Sequence, residues 1–140
     1  DALEWQAKDF EKRTKIKCYF TSTIDESLLD KSINTTLFRI FQESLTNITR
    51  HANATNVWAQ LKKENNSIKF SIADDGKGMD LSEIKTKHTL GLIGMEERIN
   101  SVNGGFSIDS SIGKGTVITV SVPIKADSLN IEPNDTYSHS

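Results

Sequence analysis

NTTLFRIFQESLTNITRHA, residues 34–52, is the longest periodic stretch of the 140-residue chain. Apolar side chains recur in it at helical spacing, at Leu37, Phe41, Leu45 and Ile48. Side chains spaced in this way lie on one side of a helix and are buried together against a core. The stretch therefore predicts one long amphipathic helix over residues 34–52.

The same helix carries a stripe of polar residues. Glu43, Asn47 and His51 are spaced by four and Arg50 follows Asn47 by three, so these side chains lie along one side, away from the apolar face. A carboxamide oxygen is a hard ligand that suits Mg²⁺, and Arg and His side chains can bind phosphate oxygens. On spacing alone, however, a solvated helix face is the commoner explanation.

The other periodic segments predict the rest of a small α/β domain. They are a helix over 3–13, a strand over 15–22, two strands over 56–63 and 67–73, a helix over 92–102, and strands over 105–110 and 116–123. Residues 74–90 indicate a loop rich in Gly and Lys. Helices and strands are interspersed, yet most strands connect as hairpins. We therefore expect a two-layer α/β (α+β) sandwich with a mixed, mainly antiparallel sheet and helices on one face.

The composition limits the classes of function. Hydrophobic residues make up 36% of the chain and charged residues 26%, which excludes a disordered tail and a membrane protein. A net charge of −2 argues against nucleic acid as a partner. Cys18 is the only cysteine, so there is no internal disulfide, which suits a reducing cytosol. We expect a cytoplasmic domain without membrane contact, whether or not a longer parent protein is anchored in a membrane.

Three glycine-containing motifs follow the long helix. DDGKG (74–78) comes directly after a strand and offers a carboxylate beside backbone that a flat ligand can approach closely. GLIGM (91–95) opens a helix, whose free N–H groups could receive phosphate. GKGT (113–116) looks like the end of a Walker A loop but leads into a strand, so a P-loop is rejected. Taken singly, each motif is equally consistent with an ordinary glycine-rich turn.

Taken together and in this order, the motifs resemble the signature of the GHKL superfamily of ATPases and kinases, which includes gyrase and the histidine kinases. That signature has an Asn-containing helix, then D-x-G-x-G, G-x-x-G and G-x-G-T; this chain shows ESLTN (43–47), DDGKG, GLIG and GKGT. The segments LEWQ (3–6), FRIFQESLTN (38–47) and GLIGMEER (91–98) resemble the sensor histidine kinases whose regulators carry a helix-turn-helix output domain. The resemblance implies a Bergerat ATP-binding fold.

The resemblance also implies a role for each matching residue. Asp74 would accept a hydrogen bond from the adenine amino group, Thr116 would support that end of the pocket, and Gly76 and Gly78 would let backbone approach the purine. The remaining nucleotide contacts would come from Asn47, Arg50, His51, Lys87, Gly91, Leu92 and Gly94, with residues 80–90 as a lid.

Mg²⁺ is the metal that the resemblance implies beside ATP. Asn47 would coordinate it between the phosphates, and Glu43 would orient either a Mg²⁺-bound water or the incoming imidazole. Glu43 and Asn47 are therefore the expected catalytic and metal-binding pair.

The resemblance places the phospho-acceptor histidine outside this chain. In the family that histidine is followed by an acidic residue, and none of His51, His88 and His139 is. We expect residues 1–14 to be a linker helix from a dimerisation domain upstream, 15–125 to be the ATP-binding domain, and 126–140 to be a disordered tail. The fragment should be monomeric, bind ATP without autophosphorylating, and act on a response regulator only through the missing domain.

Two other functions share this fold. An anti-sigma-factor serine kinase uses a similar pocket, but residues 38–52 and 95–98 favour the histidine kinase. A nucleotide-binding pseudo-kinase would keep the pocket without transfer, and the presence of Glu43 and Asn47 argues against it. A scaffold domain without a ligand would leave all four motifs as coincidence.

Overall fold

The computed structural model of the protein describes residues 1–124, apart from the side chains of residues 84, 85 and 87. Its helices are α1 (Ala2–Thr14), α2 (Lys31–Asn47), α3 (Ile84–Thr89) and α4 (Leu92–Asn100), with a 3₁₀ turn at Glu26–Leu28 and a π-helical turn at Ile48–Ala52. Its strands are β1 (Lys17–Ser22), β2 (Asn56–Glu64), β3 (Ser67–Asp74), β4 (Gly105–Ser110) and β5 (Thr116–Pro123).

The strands form one sheet in the order β1-β2-β3-β5-β4. β1 and β2 are parallel because helix α2 connects them, whereas the other neighbours are antiparallel. β3 alternates strictly between buried and half-buried residues, and Ile68, Phe70 and Ile72 are buried. The opposite face remains open: Tyr19 and Trp58 stack on it with ring centroids 6.2 Å apart, and both are exposed. The expected two-layer sandwich, with a mixed and mainly antiparallel sheet, is confirmed.

The core lies between the sheet and α2. Phe41 of α2 meets Phe70 of β3 edge to face, with ring centroids 5.3 Å apart, and both side chains are fully buried. Such aromatic pairs combine a large buried area with a favourable ring geometry. Helix α1 extends the same core through Leu3, Ala7 and Phe10. The predicted linker helix thus packs on this domain, while its link to another domain stays a prediction.

The long helix differs at both ends from the predicted range of 34–52. It begins at Lys31 because Asp30 caps it, accepting a hydrogen bond from the Ile33 N–H at 2.8 Å. The α-helix ends at Asn47 and continues as the π-helical turn, which Asn53 ends in the left-handed conformation (φ 54°). The π-helical turn widens the helix below Asn47, so the spacing of four from Asn47 to His51 does not keep them in one straight line.

Four smaller predictions of elements need correction. The first strand begins at Lys17 rather than residue 15, because Lys15 caps α1 in the left-handed conformation (φ 66°). The predicted loop 74–90 contains α3, whose six residues are too few to show a helical period. Helix α4 ends at Asn100 rather than residue 102, and the 3₁₀ turn was not predicted. The predicted tail, 126–140, lies outside the described residues.

No helix among residues 1–124 combines the length and the apolar character that crossing a membrane requires.

We predict that Phe41→Ala lowers the free energy of unfolding by about 3–5 kcal/mol, because it removes a fully buried ring and leaves a cavity beside Phe70. Urea titration followed by circular dichroism measures this loss. Ile112→Ala is the matched control, since Ile112 is 76% exposed and its truncation should change stability by less than about 0.5 kcal/mol. Equal losses in the two variants would contradict the packing described above.

Candidate functional site

A buried carboxylate ends strand β3. Asp74 is only 8% exposed, and its Oδ1 accepts a hydrogen bond from the Gly76 N–H at 2.8 Å. Burial raises the pKa of Asp74 and outweighs the N–H groups of Gly76 and Thr116, which lower it; the charge of Asp75 adds to the rise. A buried carboxylate that is this sparsely paired is costly, and such groups concentrate at functional sites.

Thr116 lies opposite Asp74 in the register between β3 and β5, and it is 7% exposed. Its hydroxyl lies 2.8 Å from the Ser110 hydroxyl, which also lies 2.9 Å from the Gly115 carbonyl oxygen. Because the single proton of Ser110 serves the carbonyl, Thr116 donates to Ser110. Ser110 also accepts from the Met79 N–H at 3.0 Å. Sequence reasoning missed Ser110; its pairing with Thr116 across the last hairpin was the available signal.

The glycines of DDGKG are required by the chain itself. A Cβ on Gly76 would collide with the carbonyl oxygen of Ala52, and the next residue, Lys77, donates its N–H to that oxygen at 2.7 Å. Gly78 has φ +66°, and a Cβ there would collide with the carbonyl oxygen of Ser111. The space that was predicted to admit a purine is therefore filled by backbone, and contact of these glycines with a purine stays a prediction.

Asn47 joins the long helix to the loop before α4. Its Nδ2 donates to the carbonyl oxygen of Leu90 at 2.8 Å, and none of the described hydrogen bonds uses its Oδ1. Asn47 is half-buried, at the last position of α2. Its amide is thus held on the nitrogen side, while the oxygen is available to a ligand.

Glu43 lies one turn earlier, beside the start of α4. Its Oε2 is 3.6 Å from the position of a Cβ on Gly91, which precedes α4 with φ +65°. None of the described side chains caps α4, and the first N–H groups of any α-helix lack partners within it. Gly94 has no described atom within 4 Å of the position of a Cβ, so packing does not explain this glycine. The helix start is therefore open and electropositive, next to an exposed carboxylate.

Two adjoining pockets are lined by the site residues described above and their neighbours. A slot of about 20 Å³ is lined by Asn47, Asp74 and Thr116 and by apolar residues that include Ile72 and Leu90. A pocket of about 250 Å³ continues past Leu90 to His51, Lys77, Gly78, Glu83, Thr86 and Thr89. Because the slot corresponds to about one or two waters, a purine enters only if its walls move apart. Met79 and Leu90, at the two ends of the loop, line both spaces.

The structure thus brings together most of the predicted site residues. Asn47, Asp74, Leu92 and Thr116 line the slot, and His51 and Gly78 line the adjoining pocket. Gly76 packs on Ala52, which lines the slot, and Gly91 lies beside Glu43. Arg50 is exposed and lines neither pocket. The side chain of Lys87 lies outside the described residues.

The donors near Asn47 have the chemistry of a Mg²⁺ site that needs further ligands. Glu43 and Asn47 supply a carboxylate and a carboxamide oxygen one turn apart, and Mg²⁺ prefers such hard oxygens together with water and phosphate oxygens. No cluster of three or more His, Cys, Asp or Glu side chains that could hold a metal occurs among the described residues. These residues fit a metal shared with a phosphate ligand.

Comparisons with known proteins agree on one family. Residues 33–126 match the family of histidine kinase-, DNA gyrase B- and HSP90-like ATPases. The oxygen sensor histidine kinase NreB of Staphylococcus carnosus is 35% identical over 117 residues, which is 84% of this chain and 34% of that protein. The histidine-protein kinase/phosphatase DegS of Brevibacillus brevis is 33% identical over 125 residues, 89% of this chain and 32% of that protein. The chain thus spans about a third of these relatives.

Solved structures agree on the fold. The histidine kinase domain of the blue-light activated kinase from Erythrobacter litoralis EL346 superposes with a TM-score of 0.67, at 16% identity, over 91% of this chain and 61% of that one. Histidine kinase AdeS of Acinetobacter baumannii also gives 0.67, at 15% identity, over 89% of this chain and 64% of that one. With a family match over most of its length, this chain belongs to the histidine kinase-, DNA gyrase B- and HSP90-like ATPase family, and the relatives described above are named as histidine kinases.

Proposed function

We propose that this domain binds Mg²⁺-ATP in the slot and donates the γ-phosphate to a histidine on a separate dimerisation domain of its parent sensor kinase. The observation that carries the proposal is the buried, sparsely paired carboxylate of Asp74 in an apolar slot, with an open helix start and a free carboxamide oxygen at the far end. One end suits a base and the other suits phosphates.

The base end selects adenine through Asp74. An ionised carboxylate only accepts hydrogen bonds, so it pairs with an exocyclic amino group and repels the carbonyl oxygen that guanine carries in its place. The apolar lining, including Ile72 and Leu90, supports a flat aromatic ring, and Thr116 buttresses Asp74 from β5. Gly76 and Gly78 hold the loop close enough for this arrangement by admitting the backbone of residues 52 and 111.

The phosphate end combines the start of α4 with the side of α2. The N–H groups of Leu92, Ile93 and Gly94 would face an anion bound at this uncapped helix start, and Gly94 leaves room for such an anion. Glu43 beside Gly91 would repel that anion, so a divalent cation between them resolves the conflict. Mg²⁺ held by Asn47 Oδ1 would neutralise charge on the transferring phosphoryl group. His51 lines the adjoining pocket, and Arg50 would serve the phosphates only after moving toward it. Lys87 is a further phosphate contact that the proposal expects.

The acceptor and the downstream partner lie outside this domain. Relatives of about three times its length are named histidine kinases, and none of its own histidines precedes an acidic residue. Those names favour the histidine kinase over the anti-sigma-factor serine kinase. We infer that the domain acts in the cytoplasm as a monomeric unit and reaches a response regulator, one with a helix-turn-helix output domain, only through the phosphorylated histidine.

Titration calorimetry with a non-hydrolysable ATP analogue tests the pocket. We expect the wild type to bind in the presence of Mg²⁺ and Asp74→Asn to bind at least about tenfold more weakly. The reason is that the charged carboxylate, which only accepts hydrogen bonds, is replaced by a neutral carboxamide whose NH₂ group would face the adenine amino group. Asn47→Ala should make the affinity for the analogue depend less on the presence of Mg²⁺. Asp109→Asn is the matched control, an exposed aspartate on β4. Wild-type affinity in Asp74→Asn would exclude the assignment of the base end.

Labelling with γ-³²P ATP tests the transfer. The chain alone should take up no stable label, whereas a histidine-bearing dimerisation domain of a sensor histidine kinase, supplied as a separate protein, should gain label that is labile in acid and stable in base. Glu43→Gln and Asn47→Ala should slow this transfer by at least about tenfold. Label on the chain itself, or acid-stable label on a hydroxyl group of the partner, would contradict the proposal and favour the serine kinase.

The raised pKa of Asp74 predicts that its ionised carboxyl group destabilises the folded domain. A carboxyl group with a raised folded-state pKa contributes stability below its unfolded pKa, and that contribution is lost as pH rises through the folded pKa. Asp74→Asn should therefore be more stable than wild type at pH 7, by about 0.5–2 kcal/mol. The advantage should shrink as pH falls through the raised folded-state pKa and be gone below about 4, where the carboxyl group is protonated in the folded and the unfolded state alike. Urea titrations of both proteins at pH 7 and below pH 4 measure the difference in their free energies of unfolding. A variant that is less stable than wild type at pH 7 would contradict the prediction.

A further inference from the structure

Asp75, next to the predicted adenine contact, makes an unusually complete set of hydrogen bonds. Its Oδ1 accepts from the N–H groups of Thr55 and Asn56, and its Oδ2 accepts from Thr55 Oγ1 and Asn56 Nδ2, all four at 2.9 Å. The Asp75 N–H also lies 3.3 Å from the Asn56 carbonyl oxygen. We call Asp75 with Thr55 and Asn56 the Asp75 bridge.

The bridge connects two parts of the site that are distant in sequence. Asn56 begins β2 and Thr55 precedes it; two residues separate Thr55 from the π-helical turn that carries His51 and continues from Asn47. Asp75 follows the last residue of β3, Asp74. Beyond the bridge, the Lys77 N–H meets the Ala52 carbonyl oxygen at 2.7 Å, so residues 75–77 run alongside residues 52–56.

Hydrogen bonds rather than burial hold Asp75 in this connection. Asp75 is exposed and so contributes little apolar packing. Hydrogen bonds from the side chain and backbone of Asn56, and then from Thr55, hold the pKa of Asp75 far below its usual range. The carboxylate is therefore charged, and the bridge is intact, at every pH at which the domain would work.

We propose that Asp75 is a positioning residue that sets the distance between the base-binding Asp74 and the phosphate-binding Asn47 and His51. The inference rests on the nucleotide site proposed above and deepens it. The Asp74 carboxylate accepts from the N–H of Gly76, two residues on, and Asn47 donates to the Leu90 carbonyl oxygen, so neither hydrogen bond joins the two halves. The Asp75 bridge, together with the contact of Lys77 and Ala52, does span them.

Positioning and charge predict opposite effects at this residue. Asp75 is an anion near the expected place of a polyphosphate, so removing its charge alone would tighten the binding of ATP. Removing its hydrogen bonds would loosen the relative placement of the two halves and weaken that binding. Adenosine, which needs only the base half, would lose less affinity than ATP, which needs both.

The test compares the 140-residue chain with Asp75→Ala and Asp75→Asn in calorimetry with the Mg²⁺-bound ATP analogue and with adenosine. Asparagine keeps an oxygen for the two backbone donors but faces Asn56 Nδ2 with a second donor, so it retains about half of the bridge. Expected affinities for the analogue fall in the order wild type, Asp75→Asn, Asp75→Ala, with a total loss of about tenfold or more. The loss for adenosine should be clearly smaller. Asp25→Ala is the control, since Asp25 caps an exposed turn through the Ser27 N–H.

Amide hydrogen exchange without nucleotide provides a second readout. Exchange at Gly76 and Lys77 should accelerate in both Asp75 variants and remain unchanged in Asp25→Ala. If Asp75→Ala does not fold, Asp75→Asn decides the question by both measurements. Tighter binding of the analogue by the variants, equal losses for the analogue and adenosine, or unchanged exchange would overturn the proposal. A wild type that binds no nucleotide would refute the proposed function itself, whereas a binding wild type with unaffected variants refutes only the positioning role.

Discussion

The carbonyl oxygen of Ala52 is the point on which the arrangement of the site depends. It accepts the Lys77 N–H at 2.7 Å and occupies the space that a side chain at residue 76 would need. Only glycine at that position lets the end of β3 approach the end of the long helix so closely. This contact brings Asp74 to the same slot as Asn47, although 27 residues separate them in sequence. The residues proposed to contact the base and the phosphates thus line one slot.

Much of the fold could be predicted because its elements have complete periodicity. β3 and β5 alternate without interruption, so their predicted and observed bounds differ by at most one residue. The apolar face of α2 was equally regular, and Leu37, Phe41 and Leu45 are all buried. The mixed, mainly antiparallel sheet followed from hairpin spacing, whereas the order of its strands was not predicted. For the site, the order of the motifs identified Asp74, Asn47 and Thr116, which line one slot.

The remaining features depend on tertiary contacts that leave no period in the sequence. The six residues of α3 are too few to show one, and the π-helical turn looks like a continued helix because its residues favour the same pattern. The packing of Gly76 against the carbonyl oxygen of Ala52 could not be predicted, since that neighbour in space is 24 residues away in sequence. Ser110 and Asp75 act through partners on other strands, which only the sheet register reveals.

Several features that cost stability, namely an uncapped helix, a helical glycine and a buried carboxylate, occur together at one end of the sheet. Their clustering argues for a ligand at this end without reference to similar proteins. The helical segments that begin at Ala2, Glu26 and Lys31 are each capped by the side chain of an aspartate. Helix α4 begins instead with a left-handed glycine and no side-chain cap, and Gly94 in its first turn forgoes the stability of alanine although space is available. Across the slot, Asp74 is buried at a cost. An anion at the helix start and a hydrogen-bond donor at Asp74 would remove these costs together, and an adenine nucleotide carries both groups.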